Sequence, residues 1–187
     1  MGSANSSQDG ASWFQDKRPV LFFVLLVAGL MVVFNVVVYR EFAAGRFSGP
    51  YLAANARLTA FLLHVLGENA VAVGSSIVSP RLTLEIKAGC DAIQASAFYV
   101  FAVLASPVPV SRPRRLLAAF AGTAGLLLLN IVRLLTLYYA GVYWKEGFNA
   151  LHGDVWQAAF ILLPLILWIA WVRRVVRIPI ACSDVPT

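Results

Sequence analysis

Val20–Tyr39 reads VLFFVLLVAGLMVVFNVVVY, twenty residues without a charge. At about 1.5 Å per residue, a helix of that length matches the roughly 30 Å hydrocarbon core of a bilayer. The run is too long for the apolar region of a signal peptide, and no small-residue cleavage site follows it. It predicts a first spanning helix. Asp16-Lys17-Arg18-Pro19 introduces it, and Met1–Gln15, rich in Gly, Ser and Asn, reads as a disordered tail.

The rest of the composition agrees with that solvent. Of the 187 residues, 60% are hydrophobic and 13% charged, and mean hydropathy is +0.77. A water-facing surface needs more charged groups than this. The net charge of +6 does not point to nucleic acid. Its basic residues cluster at the ends of apolar runs, where they fix orientation in a membrane.

Three further spans are expected, over about 90–106, 116–138 and 155–172, the last with Pro164 as a tolerated kink. Ala56–Leu66 is apolar but too short to cross alone, and reads as a helix in the outer interface. In Leu82–Lys87, Leu82, Leu84 and Ile86 alternate with Thr83, Glu85 and Lys87, a half-buried strand pattern. With Val71–Val78 it predicts a small β-hairpin outside the lipid core, because open sheet edges do not survive in hydrocarbon. Val142–Gly153 reads as an aromatic-rich outer loop. The fold class is thus an all-α membrane protein of about four transmembrane helices, with an outer interfacial helix and a β-hairpin before the second span. The tail 1–15 precedes one membrane domain, 16–178, and a tail, 179–187, follows. Lys17-Arg18, Arg112–Arg115 and Arg173–Arg177 then share one side, which the excess of basic residues makes cytoplasmic.

This topology carries Cys90, Arg133 and His152 to the same outer depth. Cys90 falls at a helix N-terminus, where the dipole and unpaired N–H groups favour a thiolate. Asp91 beside it is a candidate cap. Arg133 lies 18 residues after Arg115, about 27 Å along a helix axis. An unpaired arginine there costs up to about 3 kcal/mol. Asn130 is one turn earlier on the same face. His152 precedes the last span, and Asp154 is placed either to cap that helix or to orient the imidazole. A thiol nucleophile needs a base and an anchor for the oxyanion or substrate, and these residue types supply them. Snorkelling alone accounts for Arg133 but not for Asn130.

Other chemistries lack their motifs. His64, Glu68, His152 and Asp154 show no metal-binding spacing. There is no Gly-rich phosphate loop and no nucleophile elbow, so neither metal nor cofactor is expected. Cys90 and Cys182 fall on opposite sides of the membrane, and no CxxC is present.

Over about Val71–Arg174 the sequence resembles the exosortase/archaeosortase family of membrane-embedded cysteine transpeptidases, most like the exosortase H type. The resemblance rests on Ala88-Gly89-Cys90-Asp91-Ala92-Ile93, Asn130-Ile131-Val132-Arg133 and Leu151-His152-Gly153-Asp154-Val155-Trp156, in that order. Many members have Cys-Ser-Gly where this chain has Cys90-Asp91-Ala92, and most are longer, with more spans. The resemblance implies Cys90 as nucleophile, Arg133 as essential partner and His152 as general acid/base. It implies exported protein substrates with a C-terminal sorting signal: a motif resembling Ile-Pro-Thr-Leu-x-x-Trp-Gly, a spanning helix and a basic tail. It further implies a thioester intermediate, a surface glycan or lipid as acceptor, and a place in the cytoplasmic (inner) membrane with the site facing the periplasm or exterior. The competing expectation is a non-enzymatic scaffold, or a subunit of an export or glycan-assembly complex, with Asn130 and Arg133 as helix-packing contacts.

Overall fold

The computed structural model describes residues 6–43, 48–87 and 92–176. Helix α1 runs Ser6–Ala43 and α2 runs Ser48–Val65. Strands β1 (Val71–Val73), β2 (Ser76–Val78) and β3 (Thr83–Glu85) follow. Helices α3 (Ile93–Ala105), α4 (Arg112–Tyr143) and α5 (Lys145–Asn149) come next. A π-helix, Ala150–Val155, leads into α6, Trp156–Val176.

Among the described residues three stretches are long and apolar enough to cross a membrane: Arg18–Val38, Arg112–Tyr143 and Lys145–Val176. The chain is a multi-pass membrane protein. Its exposed surface fits that solvent, with Phe22, Leu117, Phe120, Leu128 and Ile161 all more than 60% accessible. Leucine and phenylalanine faces of that size stay exposed where the surroundings are lipid. α1 begins at Ser6, ahead of both the apolar run and the basic pair, so its first turns take in part of the expected tail.

The second expected span is a short helix: α3 has 13 residues, about 20 Å. Ala92 explains one end: its φ of 56° is left-handed and cannot continue an α-helix backwards. At the other end Ser106 (ψ 127°) precedes Pro107, which disfavours helical backbone in the residue before it. Arg115 closes the inner connection, its two terminal nitrogens donating to the carbonyls of Leu104 (2.7 Å) and Val108 (2.8 Å). α3 packs between α1, α4 and α6, around Tyr99, Val103, Ala119 and Leu126. Gly122 makes the α3–α4 approach possible, because a Cβ there would overlap the Tyr99 ring.

α2, the sheet and the facing part of α4 form a second core. α2 buries Leu52, Ala56, Ala60 and Leu63 against the sheet and against Ile131, Leu134 and Tyr138 of α4. Its other face shows Leu58, Phe61 and Val65, the two-sided pattern of an interfacial helix. The helix starts at Ser48, eight residues before the expected start. The expected hairpin is one part of a three-stranded antiparallel sheet, β1-β2-β3, with Ala72↔Ile77 and Ile77↔Leu84 in register. Gly74, φ 60°, makes the β1–β2 turn, a conformation glycine adopts without a Cβ clash. Ile86 is buried and Thr83 and Glu85 are exposed, as the alternation requires. Tyr138, fully buried, sends its hydroxyl to Ser79 Oγ (2.9 Å) and towards Glu68 (3.4 Å). Glu68 also pairs with Arg81 at 3.6 Å.

The segment after α4 corrects the expected loop. Val142–Gly153 is helical nearly throughout, through the end of α4, α5 and the π-helix. Gly147 allows the tight turn, because its bare Cα lies against the Trp144 indole.

Candidate active site

Arg133 is 2% exposed and Asn130 is fully buried, both on the inner faces of α4. The guanidinium carbon of Arg133 lies 5.3 Å from the Phe160 ring centroid, a cation–π contact that offsets part of the cost of a charge at this depth. Asn130 donates from Nδ2 to Asn55 Oδ1 at 3.3 Å, and Asn55 in turn donates to the Tyr51 carbonyl at 3.0 Å. α2 therefore reaches the polar layer of α4, a contribution that Asn55 in a mixed-composition segment does not advertise.

His152 lies in the π-helix and stacks on Phe148, with centroids 5.9 Å apart and planes 13° from parallel. It is within electrostatic reach of Arg133. A π-helix adds a residue to one turn and is frequent at functional sites. Asp154 is exposed. Cys90, Asp91 and Cys182 lie outside the described residues. No group of three or more His, Cys, Asp or Glu residues able to hold a metal occurs among the described residues.

A cavity of about 330 Å³ opens beside Arg133, with Ala92, Gln94, Gln157, Phe160 and Pro164 also on its wall; His152 and Asn130 are not among its lining residues. Arg133 from α4 and Ala92, two residues after Cys90, thus face one space. A second cavity, about 360 Å³, shares Met31, Phe98 and Leu165 with the first and continues inward among Phe23, Val27 and Trp168. The Phe23 and Trp168 rings stack there at 5.3 Å. The whole is a groove between α1, α3 and α6, polar beside Arg133 and Gln157 and apolar towards Phe23 and Trp168. Sequence reasoning missed Gln94, Gln157 and Asn35, although a single amide in Val20–Tyr39 was a visible signal.

The model of one protein family, described as transmembrane exosortase (Exosortase_EpsH), matches residues 15–169. No curated protein and no solved structure matches the chain.

Proposed function

This chain belongs to the transmembrane exosortase family, membrane-embedded sorting transpeptidases that act on proteins carrying sorting signals, and from that premise we propose that Cys90 is its nucleophile. The substrate is an exported protein ending in a motif, a spanning helix and a basic tail. His152 takes the thiol proton, and the sulfur attacks the scissile carbonyl carbon. Arg133 supplies positive charge where the thiolate and then the oxyanion form. Collapse breaks the C–N bond, the imidazolium gives its proton to the departing amine, and the acyl group stays on sulfur as a thioester. An acceptor hydroxyl or amine, from a surface glycan or lipid, attacks that carbonyl. It loses its proton to His152 and releases the thiolate.

One observation carries this reading: Ala92 and Arg133 line a single cavity. Cys90 is two residues from Ala92, and chain geometry keeps their Cα atoms within about 7 Å. His152, in the π-helix that runs into the cavity-lining helix α6, is the third member that the family resemblance implies. Asn130, Asp154 and Asp91 are supporting residues. The basic clusters at 17–18, 112–115 and 173–177 favour the cytoplasmic (inner) membrane, with the site facing outward. Residues 16–178 form the catalytic domain, with 1–15 and 179–187 as flanking tails. A spanning substrate held in the same bilayer meets the site already oriented, a proximity gain.

The test is replacement of the sulfur. Cys90→Ala, present at normal abundance in the membrane, leaves a reporter with such a C-terminal signal uncut. An impermeant thiol reagent added from outside labels Cys90 and not Cys182. Processing by Cys90→Ala at the native rate overturns the mechanism. It favours the scaffold reading, for which the Asn130–Asn55 contact between helices is the specific support.

A further inference from the structure

Polar side chains are costly at the boundary of a hydrocarbon core unless something uses them. Two amides, Gln94 and Gln157, share a cavity wall with Arg133, and a third, Asn35, bonds to one of them. Asn35 lies 17 residues after Arg18, about 26 Å along α1. Gln94 is the second residue of α3 and Gln157 the second of α6. Gln94 and Gln157 are exposed side chains on the wall of the cavity that Arg133 lines. Gln94 donates from Nε2 to Asn35 Oδ1 at 3.0 Å, and Asn35 is itself held by donation from Nδ2 to the Met31 carbonyl at 2.8 Å. That chain of donations fixes which way the Gln94 amide points. Its Oε1, the acceptor of the amide, is thereby turned away from Asn35 and is available to a ligand's N–H, along with the second Nε2–H for a carbonyl.

A substrate that spans the membrane and is cut just outside it has a matching deficit. The first N–H groups of any α-helix, roughly four, have no partner within the helix. Opening the backbone before the helix, so that a nucleophile can reach a carbonyl, adds further unpaired groups. In a cleft bordered by lipid those groups need acceptors from the protein.

We propose that Gln94 and Gln157 form a binding subsite for the substrate main chain. In it they accept hydrogen bonds from the unpaired N–H groups at the outer end of the substrate's spanning helix, and Asn35 positions Gln94. The apolar groove inward, past Met31 and Phe98 to Trp168, receives side chains of the same helix. The assignment rests on the transpeptidase reading above. It adds the conformation in which the peptide is held and the residues that hold it.

The experiment uses the full chain in membranes or micelles. The reporter peptide carries the motif, an apolar helix of about twenty residues and an Arg-rich tail. Gln94→Leu and Gln157→Leu each raise KM about three- to tenfold, the worth of one hydrogen bond, with kcat within about twofold of the native value. Asn35→Leu gives the Gln94→Leu effect, and the two together give no more than either alone. A reporter in which a single main-chain amide at the helix start is replaced by an ester loses the same factor with the native enzyme. It loses nothing further with the variant of whichever glutamine that N–H serves. A structural role would move abundance and kcat, and would not distinguish amide from ester. If the Gln94→Leu/Gln157→Leu double variant keeps native KM while Cys90→Ala is inactive, the subsite is wrong and the transpeptidase reading stands. If Cys90→Ala remains active, the reading falls and takes the subsite with it.

Discussion

The Tyr138 hydroxyl and Ser79 Oγ are 2.9 Å apart across 59 residues of sequence, and that bond fastens the outer sheet to α4. Ser79 also holds its own turn, accepting from Leu82 N at 3.1 Å and donating to the Leu82 carbonyl at 2.9 Å. β3 leaves this turn and leads towards Cys90. Tyr138→Phe keeps the ring packed and removes the bond. It is expected to lower stability by about 1–2 kcal/mol, since a buried acceptor network loses its donor. Ser79→Ala should cost a similar amount, and the double variant should cost less than the sum. Unfolding midpoints of the three detergent-solubilised variants check it.

Arg133→Ala removes both a buried charge and its stacking on Phe160. With the proposed role, reporter processing falls by at least about a hundredfold, the scale of losing one group that stabilises an oxyanion. Arg133→Lys recovers little, because an ammonium lacks the planar fork that both stacks and bonds in two directions. Rate constants normalised to membrane abundance decide between this and a purely structural role, in which processing follows protein amount.

Gly122 and Tyr99 set the spacing of α4 from α3. Gly122→Ala places a methyl group in the Tyr99 ring and is expected to destabilise by about 1–3 kcal/mol, the usual cost of overpacking. Trimming the ring with Tyr99→Leu in the same chain should recover part of that loss. Thermal midpoints measure it. An unchanged midpoint for Gly122→Ala would mean that the two helices approach less closely.

Ala92 is the non-glycine residue with positive φ among the described residues. Left-handed backbone costs an L-residue about 1–2 kcal/mol. Ala92→Gly removes that strain at the expense of a looser unfolded chain, so its net effect should lie between neutral and about 1 kcal/mol stabilising. Ala92→Val should cost more than about 1 kcal/mol, because a β-branched side chain fits this conformation worst. A midpoint higher for Ala92→Val than for Ala92→Gly would contradict the backbone assignment.

Much of this was written in the sequence, for identifiable reasons. Val20–Tyr39 announces a span because its length matches the lipid core. Leu82, Leu84 and Ile86 announce a strand because a period of two has no other simple origin. The inward placement of Arg133 followed from Asn130 on the same face. The missing parts depend on distant contacts. Asn55 gains meaning only when α2 lies against α4. Gln94 and Gln157 look like ordinary helix-end residues until their helices converge on one cavity. The start of α3 at Ile93 is set by a single left-handed alanine, Ala92, which composition does not reveal. The helical course of Val142–Gly153 was hidden by its glycines, one of which serves to seat an indole ring.

The 13 residues of α3 leave it about 10 Å short of an average hydrocarbon core. It stands as a short strut among taller posts, because α1, α4 and α6, which pack around it, are all longer. The non-helical backbone at its two ends, at Ala92 and Ser106, is thereby screened by protein, the condition under which irregular chain is tolerated at membrane depth.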